Sequence, residues 1–446
     1  MKTTLILHVV LFVFLMPVVL YAETKDSEKA RVIVTTDLGG EDPDDIQSMI
    51  HLLLCSDMVD MEGIVSSQTW IDLPDNSQLI KKYIDEYSAV YECLSVHSSG
   101  YPEPEYLKSV TVFGQSKCHM DGVGDGKDSD GSELIIKSVD KKGDSRPLWV
   151  LAWGGTNTVA QALWKVSKTR SPREVRRFVS KLRVYDILGQ DDAGAWIAKT
   201  FPDLMYIRNT EVYGWAPSDE WTDSNIQSKG SLGSAYPDRI WATEGDSPSF
   251  LYLIANGLNV PEHPEYGGWG GRFNMEPRAG IRGMSFIGRS GKDESRYDPY
   301  YMIGSAPEGV DAIRMWMADI WNDFSARMFW TQTNDYSKAN HHPSAFVGKD
   351  GTKRVLYKNV RAGRIVMFDA SSSIDPDGDM LDFRWSVYAG SGTYDGNVRL
   401  VGEESPICSV IIPRDASGRT IHLVLELRDE GSPSLASYRR IVINVK

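Results

Sequence analysis

The chain has 446 residues, 41% of them hydrophobic, with 48 Lys and Arg against 61 Asp and Glu for a formal net charge of −13. That length allows two or three domains, and the composition is that of a globular protein, not a disordered or fibrous one. An acidic chain without a dense basic stripe argues against a nucleic-acid partner.

Lys2 is followed by the apolar run Leu5–Leu20 and then Tyr21-Ala22. This reads as a secretory signal peptide over residues 1–22, cleaved after Ala22, and implies a secreted or periplasmic protein. Leu20 is a poor small-residue match for that cleavage site, which leaves an uncleaved anchor as the alternative. No later run reaches 18 apolar residues, so no further membrane span is expected. Cys55, Cys93, Cys118 and Cys408 have no zinc-type spacing, and a chain of this size does not need a disulfide framework. One bridge is allowed, but its pairing is not legible. A homo-oligomer is equally open.

Arg31–Thr36 is a short apolar run that reads as a buried strand. Ile46, Met49, Ile50, Leu53 and Leu54 then give one apolar face of a helix. Between them lies Asp37-Leu-Gly-Gly-Glu-Asp-Pro-Asp-Asp45, at the strand-to-helix edge where open α/β sheets bind ligands. Its carboxylates are Asp37, Glu41, Asp42, Asp44 and Asp45. Two such charges about 4 Å apart repel by roughly 4 kcal/mol at an effective dielectric of about 20. A helix N-terminus offsets only about 0.3–1 kcal/mol per acid. A hard cation, Ca²⁺ or Mg²⁺, does better. The plainer reading is a solvated turn in which Asp44 or Asp45 caps the helix.

Val59–Ser66 reads as a second strand, Ser66–Trp70 as the loop at its end, and Leu79–Tyr91 as a helix. This alternation predicts a parallel sheet with crossover helices. His119–Gly131 is a Gly- and Asp-rich surface loop without the register of an EF-hand. Pro147–Trp153 is a strongly apolar strand. It ends in Gly154-Gly155-Thr156-Asn157-Thr158, where glycines permit close approach to a ligand and exposed carbonyls can face a cation. Leu182–Leu188 is the next strand, ending in Gly189-Gln190-Asp191-Asp192, and Met205–Arg208 another. Trp215–Arg239 is expected to be a long loop or lid. Asp246 opens a further helix, either as its cap or as a cation ligand. Trp269, Arg272 and Phe273 cluster in an irregular segment, suited either to lining a sugar pocket or to packing in a core. Ile313–Phe329 closes the domain.

From about Lys338 the pattern changes. Val355–Val360, Arg364–Phe368, Leu381–Tyr388, Val398–Val401, Cys408–Ile412, Thr420–Leu427 and Arg439–Val445 alternate as short strands, which predicts a β-sandwich. Asp375-Pro-Asp-Gly-Asp379 is either a tight turn or a calcium loop.

Three segments carry a resemblance. Thr36-Asp37…Asp44-Asp45, Gly155-Thr156-Asn157 and Asp246-Ser247-Pro248 fall in the order of the calcium-site segments of inosine–uridine nucleoside hydrolases, over roughly residues 31–329. The whole chain looks like exported bacterial proteins described as cellulose-binding, with a nucleoside-hydrolase-like domain (31–338) and a carboxy-terminal Ig-like domain of polycystic-kidney-disease type (348–446). The resemblance implies an open, mainly parallel α/β sheet with helices on both faces, followed by an all-β Ig-like sandwich. It also implies Ca²⁺ held by Asp37, Asp45, the Thr156 carbonyl and Asp246. A calcium-bound water deprotonated by Asp37 would attack the anomeric carbon. Asp44 or Asp42 would hold sugar hydroxyls. Ser67, Gln68, Asn157, Gln190 and Asp191 would lie near the sugar, with Trp269 as a platform.

Three departures stand out. The acidic loop carries about three extra residues near Glu41–Pro43. Gly245 stands where one group of nucleoside hydrolases has a leaving-group histidine. Gln190-Asp191-Asp192 replaces an asparagine-rich ribose loop. The resemblance therefore implies a calcium-dependent glycoside or nucleoside-type hydrolase acting on a plant or microbial carbohydrate, with His263 or His119 as a replacement acid. The alternative is a carbohydrate-binding protein without turnover.

Overall fold

Val32, Ile33 and Val34 have no exposed surface, as a strand covered by helices on both faces requires. They belong to β1 (Ala30–Thr36). The computed structural model describes residues 29–290 and 292–446, so the signal-peptide expectation lies outside the described residues.

Six strands join β1 in one sheet: β2 (Val59–Ser66), β3 (Thr111–Phe113), β4 (Leu148–Ala152), β5 (Leu182–Ile187), β6 (Met205–Asn209) and β7 (Ile303–Gly304). Their order is β3-β2-β1-β4-β5-β6-β7, and every pairing is parallel. The order reverses at β1, which pairs with β2 on one side and β4 on the other. That reversal opens a crevice at the carboxyl ends of β1 and β4. Alternate residues of β1 feed two cores. Val32 and Val34 pack with Ile50, Leu53 and Ile84, and Ile33 packs with Val150, Val159 and Leu163.

Helix α1 (Asp44–Leu54) leaves the acidic loop directly. Helix α2 (Ser77–His97) outruns its predicted bounds because Ile80, Ile84, Tyr87, Val90 and Leu94 keep one buried face past Tyr91. The sequence pattern missed β3 and β7, which are too short to show alternation. The expected loop Trp215–Arg239 instead holds brief helical turns at Asp219–Thr222, Asp223–Gln227 and Gly230–Ser234. Among the described residues, no helix is long and apolar enough to cross a membrane.

The carboxy-terminal region forms two facing sheets. One is β10 (Leu381–Val387), β13 (Thr420–Asp429), β14 (Ala436–Val445) and β8 (Leu356–Val360). The other is β11 (Arg399–Val401), β12 (Ile407–Ile411) and β9 (Ile365–Asp369). Phe368, Trp385, Leu423 and Ile441 lie between them. This region docks onto the first through backbone bonds: Tyr438 N–H donates to Asn256 O at 3.1 Å and Arg440 N–H to Gly257 O at 3.0 Å. Gly257 is required there, because a Cβ would sit 1.9 Å from the Tyr438 carbonyl oxygen. The buried Arg440 guanidinium donates to Leu258 O and Gly267 O, each at 2.8 Å. Its charge is thus solvated by carbonyl dipoles instead of a carboxylate.

Candidate functional site

A cavity of about 760 Å³ opens at the carboxyl edge of the sheet. Its floor is acidic. Asp37 follows β1, Asp44 and Asp45 open α1, and Asp246 precedes the helix Ser247–Leu251. Asp44, Asp45 and Asp246 each present an oxygen within 4.8 Å of the others. Asp42, half-buried, and Gln190 also line the wall.

Local bonds set this arrangement. Thr36 Oγ1 donates to Asp45, and the Asp45 N–H donates to Asp44 Oδ1 at 3.1 Å. Gly154, at the end of β4, packs so closely that a Cβ would stand 2.9 Å from the Asp37 Cβ and carboxyl carbon. Three buried oxygens, Asp37 Oδ1, Asp42 Oδ1 and Asp246 Oδ2, have no hydrogen-bond partner among the described residues. Burial and the Asp44 charge push the Asp37 carboxyl up to about 7, against hydrogen bonds that include Thr69. Asp44, Asp45 and Asp246 are raised well above the carboxylate range, first by burial and then by one another's charge. Four mutually repelling carboxyls with orphan oxygens suit a hard cation and suit a neutral ligand poorly.

The cavity gathers Asp37, Asp42, Asp44, Asp45, Gln190 and Asp246 from the residues singled out in the sequence. The others line up behind it. Gln68 is buried and donates to Gln115 O at 2.8 Å and Leu73 O at 3.1 Å, bracing loops. Ser67 is buried, its hydroxyl turned to Gln68 O. Asp191 accepts from Thr156 Oγ1 at 2.9 Å and the Asn157 N–H at 3.0 Å, so it caps the helix Asn157–Thr169 and does not face the cavity. Asn157 Nδ2 donates to Lys117 O at 2.6 Å. The Thr156 carbonyl accepts the Ala160 N–H at 3.0 Å, which leaves it one lone pair for any other contact.

Trp269 needs correction. It is 2% exposed, and its indole N–H donates to Tyr438 Oη at 3.2 Å where the two regions meet. It is core, not a sugar platform. His263 stacks on Tyr266 and pairs with Glu265, and His119 is buried with Nε2 3.0 Å from Trp70 O. Neither is among the residues that line the cavity.

The structure supplies an apolar wall that the pattern did not reveal: Trp70, Ile71, Tyr213, Trp241 and Met284. Trp241 is 67% exposed. These residues come from separate loops, so no periodicity marks them; an aromatic residue in a polar loop was the only signal. Tyr213 also explains Gly245. A Cβ there would lie 2.6 Å from both Asp44 Oδ2 and the Tyr213 ring, so a side chain at 245 would have to displace one of them, and the tyrosine fills the space.

The family model described as cellulose-binding Sde182, nucleoside hydrolase-like domain, matches residues 31–273. The model of the cellulose-binding protein Sde0182 C-terminal domain matches residues 365–445. The chain belongs to this family. A nucleoside hydrolase-related hypothetical protein from Saccharophagus degradans, described as associated with carbohydrate metabolism, is 48% identical. The match covers 94% of this chain and 100% of that one, with a TM-score of 0.89. The PKD domain of the KIAA 1837 protein is 16% identical over 23% of this chain and 87% of its own, with a TM-score of 0.17. A search of curated proteins finds no match. Membership of the Sde182 family agrees with the fold, a parallel α/β sheet followed by β-sheets.

Proposed function

We propose that this member of the Sde182 family is an exported hydrolase that takes a plant or microbial carbohydrate into the cavity and cleaves a glycosidic bond with calcium held on the acidic floor. The observation that carries the reading is the set of orphan oxygens, Asp37 Oδ1, Asp42 Oδ1 and Asp246 Oδ2, among carboxyls that burial and their neighbours' charge hold above the ordinary carboxylate range. The donor set fits calcium, since it is all oxygen and clustered. Asp37, Asp45 and Asp246 would hold the ion, with the Thr156 carbonyl behind them. Bound calcium supplies the charge that keeps these carboxyls ionised and makes water there more acidic.

The chain's own residues then divide the work. Asp37, kept ionised beside the ion, accepts the proton of the attacking water. Asp44 and Asp42 accept sugar hydroxyls, and their negative charge stabilises an anomeric carbon that turns cationic. Trp241, Ile71 and Trp70 offer apolar faces to further sugar units and exclude water from the floor.

Gly245 and Tyr213 favour a second reading, a carbohydrate-binding protein that uses the same cavity without turnover. Where the leaving-group histidine of the resembled enzymes would stand, this chain has a glycine packed against Asp44 and Tyr213. Calorimetric titration of calcium and of cello-, xylo- and arabino-oligosaccharides, with sugar-release assays on the same panel and on nucleosides, separates the two. Calcium-dependent release supports the hydrolase. Calcium-dependent binding without release supports the second reading, and an absence of calcium binding removes both.

A further inference from the structure

We infer that His51, Cys55 and Asp323 form a separate site for a zinc-class transition metal ion, sealed in the core behind the acidic floor. Each offers a ligand atom within 4.8 Å of the others, and all three are buried. His51 lies in the last turn of α1 and Cys55, four residues on, caps its end, which brings both side chains to the same side. Asp323 comes from the packed helix Met317–Trp330, and its Oδ2 lies 3.9 Å from Cys55 Sγ.

The independent observation is the imidazole. His51 is fully buried. Its Nδ1 is 2.6 Å from Glu244 Oε2, while Nε2 has no hydrogen-bond partner among the described residues. An unpaired buried nitrogen is costly. The ring cannot easily turn to seek a partner, because it stacks on Phe324 at 4.0 Å and meets the edge of Phe250 at 5.2 Å. A plain core cluster accounts for a thiol beside a carboxylate, but it leaves Nε2 unexplained.

The surroundings match those of a ligated metal. A carboxylate on the far nitrogen is how ligating histidines are oriented, and Glu244 provides it. Asp323 is oriented by Arg327 Nε, at 2.9 Å from Oδ1 and 3.0 Å from Oδ2, and by His342 Nε2 at 2.6 Å from Oδ1, which leaves a lone pair of Oδ2 for the ion. Nitrogen, sulfur and oxygen donors select zinc over calcium, which takes oxygen alone.

The position also gives the site a purpose. Glu244 has a left-handed φ of 49° and stands two residues before Asp246. Its N–H donates to Gln47 Oε1 at 3.0 Å and its Oε1 accepts from Tyr236 at 2.9 Å. An ion at His51 would fasten α1, which carries Asp44 and Asp45, to the helix Met317–Trp330, while the direct His51–Glu244 bond ties the same ring to the segment that carries Asp246. It is a structural clamp, and it does not depend on whether the floor binds calcium.

The test uses the full chain, unfolded and refolded with cobalt(II) in place of zinc. We expect stoichiometric cobalt and a thiolate-to-cobalt charge-transfer band. The band persists when Cys93→Ser, Cys118→Ser and Cys408→Ala are combined, which leaves Cys55 as the remaining thiol, and it persists in Asp45→Ala. It disappears in Cys55→Ala with circular dichroism unchanged. No band in refolded wild type, or an undiminished band in Cys55→Ala, overturns the site. If Cys55→Ala does not fold, the combined variant decides: a band there upholds the site and a folded protein without one overturns it. Calcium yields no such band, so failure here is distinguishable from failure of the hydrolase reading.

Discussion

Two acidic turns in this chain read alike and are built differently. Asp37–Asp45 and Asp375–Asp379 both crowd aspartates around Gly and Pro. In the second, Asp375 Oδ1 accepts the N–H groups of Asp377 at 2.8 Å and Asp379 at 3.1 Å. Asp377 accepts the His341 N–H at 2.7 Å. Only Asp375 Oδ2 among those carboxylates is buried without a partner. In the first, Asp37 Oδ1, Asp42 Oδ1 and Asp246 Oδ2 are all left so, around one cavity. Acid density therefore does not mark a cation site. What sets the first turn apart is several buried oxygens left unsatisfied around one cavity, part of them supplied by a distant chain segment.

The largest effect that would sharpen this contrast is Asp45→Ala. It should weaken calcium binding by more than the ~10–100-fold seen on losing outer partners of a metal, as read by calorimetry, with carbohydrate turnover lost alongside. Calcium binding undiminished in that variant would erase the distinction between the turns.

Next is the pH response of the metal-free protein. The folded Asp37 carboxyl titrates at about 7, above its ordinary value of 3.8, and its raised neighbours act in the same sense. The folded state thus binds more protons than the unfolded chain between those values. Stability falls as pH rises from about 4 to 7, because the slope follows the difference in bound protons. Melting curves should show Tm dropping across that window in chelator and recovering on addition of calcium. The Asp375 turn predicts no such recovery.

Gly245→Ala should come third. Its Cβ meets Asp44 Oδ2 and Tyr213 at 2.6 Å, and overpacking of this kind costs about 1–3 kcal/mol. Denaturant unfolding would record that loss, with weaker calcium binding alongside it. Trp241→Ala should be smaller, about 0.5–1.5 kcal/mol of oligosaccharide affinity, with Tm unchanged because the ring is 67% exposed. Smallest of all on calcium is Asp375→Ala, which should lower stability through the lost turn bonds and leave the calcium titration as in wild type.

Much of this was legible before the structure. The run Val32–Val34 is apolar without alternation, and that alone marks a strand covered on both faces. The heptad-like spacing Met49, Ile50, Leu53 places a helix after the acidic loop. Both are local patterns, so the sheet class, the strand-end position of Asp37–Asp45 and the alternating β-region follow from neighbours in sequence. The identities of Asp37, Asp44, Asp45 and Asp246 as acids at strand or helix ends were equally local. Tertiary structure decided the rest. Trp269 and Trp241 are the same residue type in similar loops, yet one is sealed against Tyr438 and the other stands at a cavity mouth. Gln68 and Asp191 look like sugar contacts until their hydrogen bonds are seen to be spent on loops and a helix start. Burial, lone-pair satisfaction and the meeting of His51 with Asp323 depend on segments far apart in the chain. No one-dimensional pattern records which of them touch.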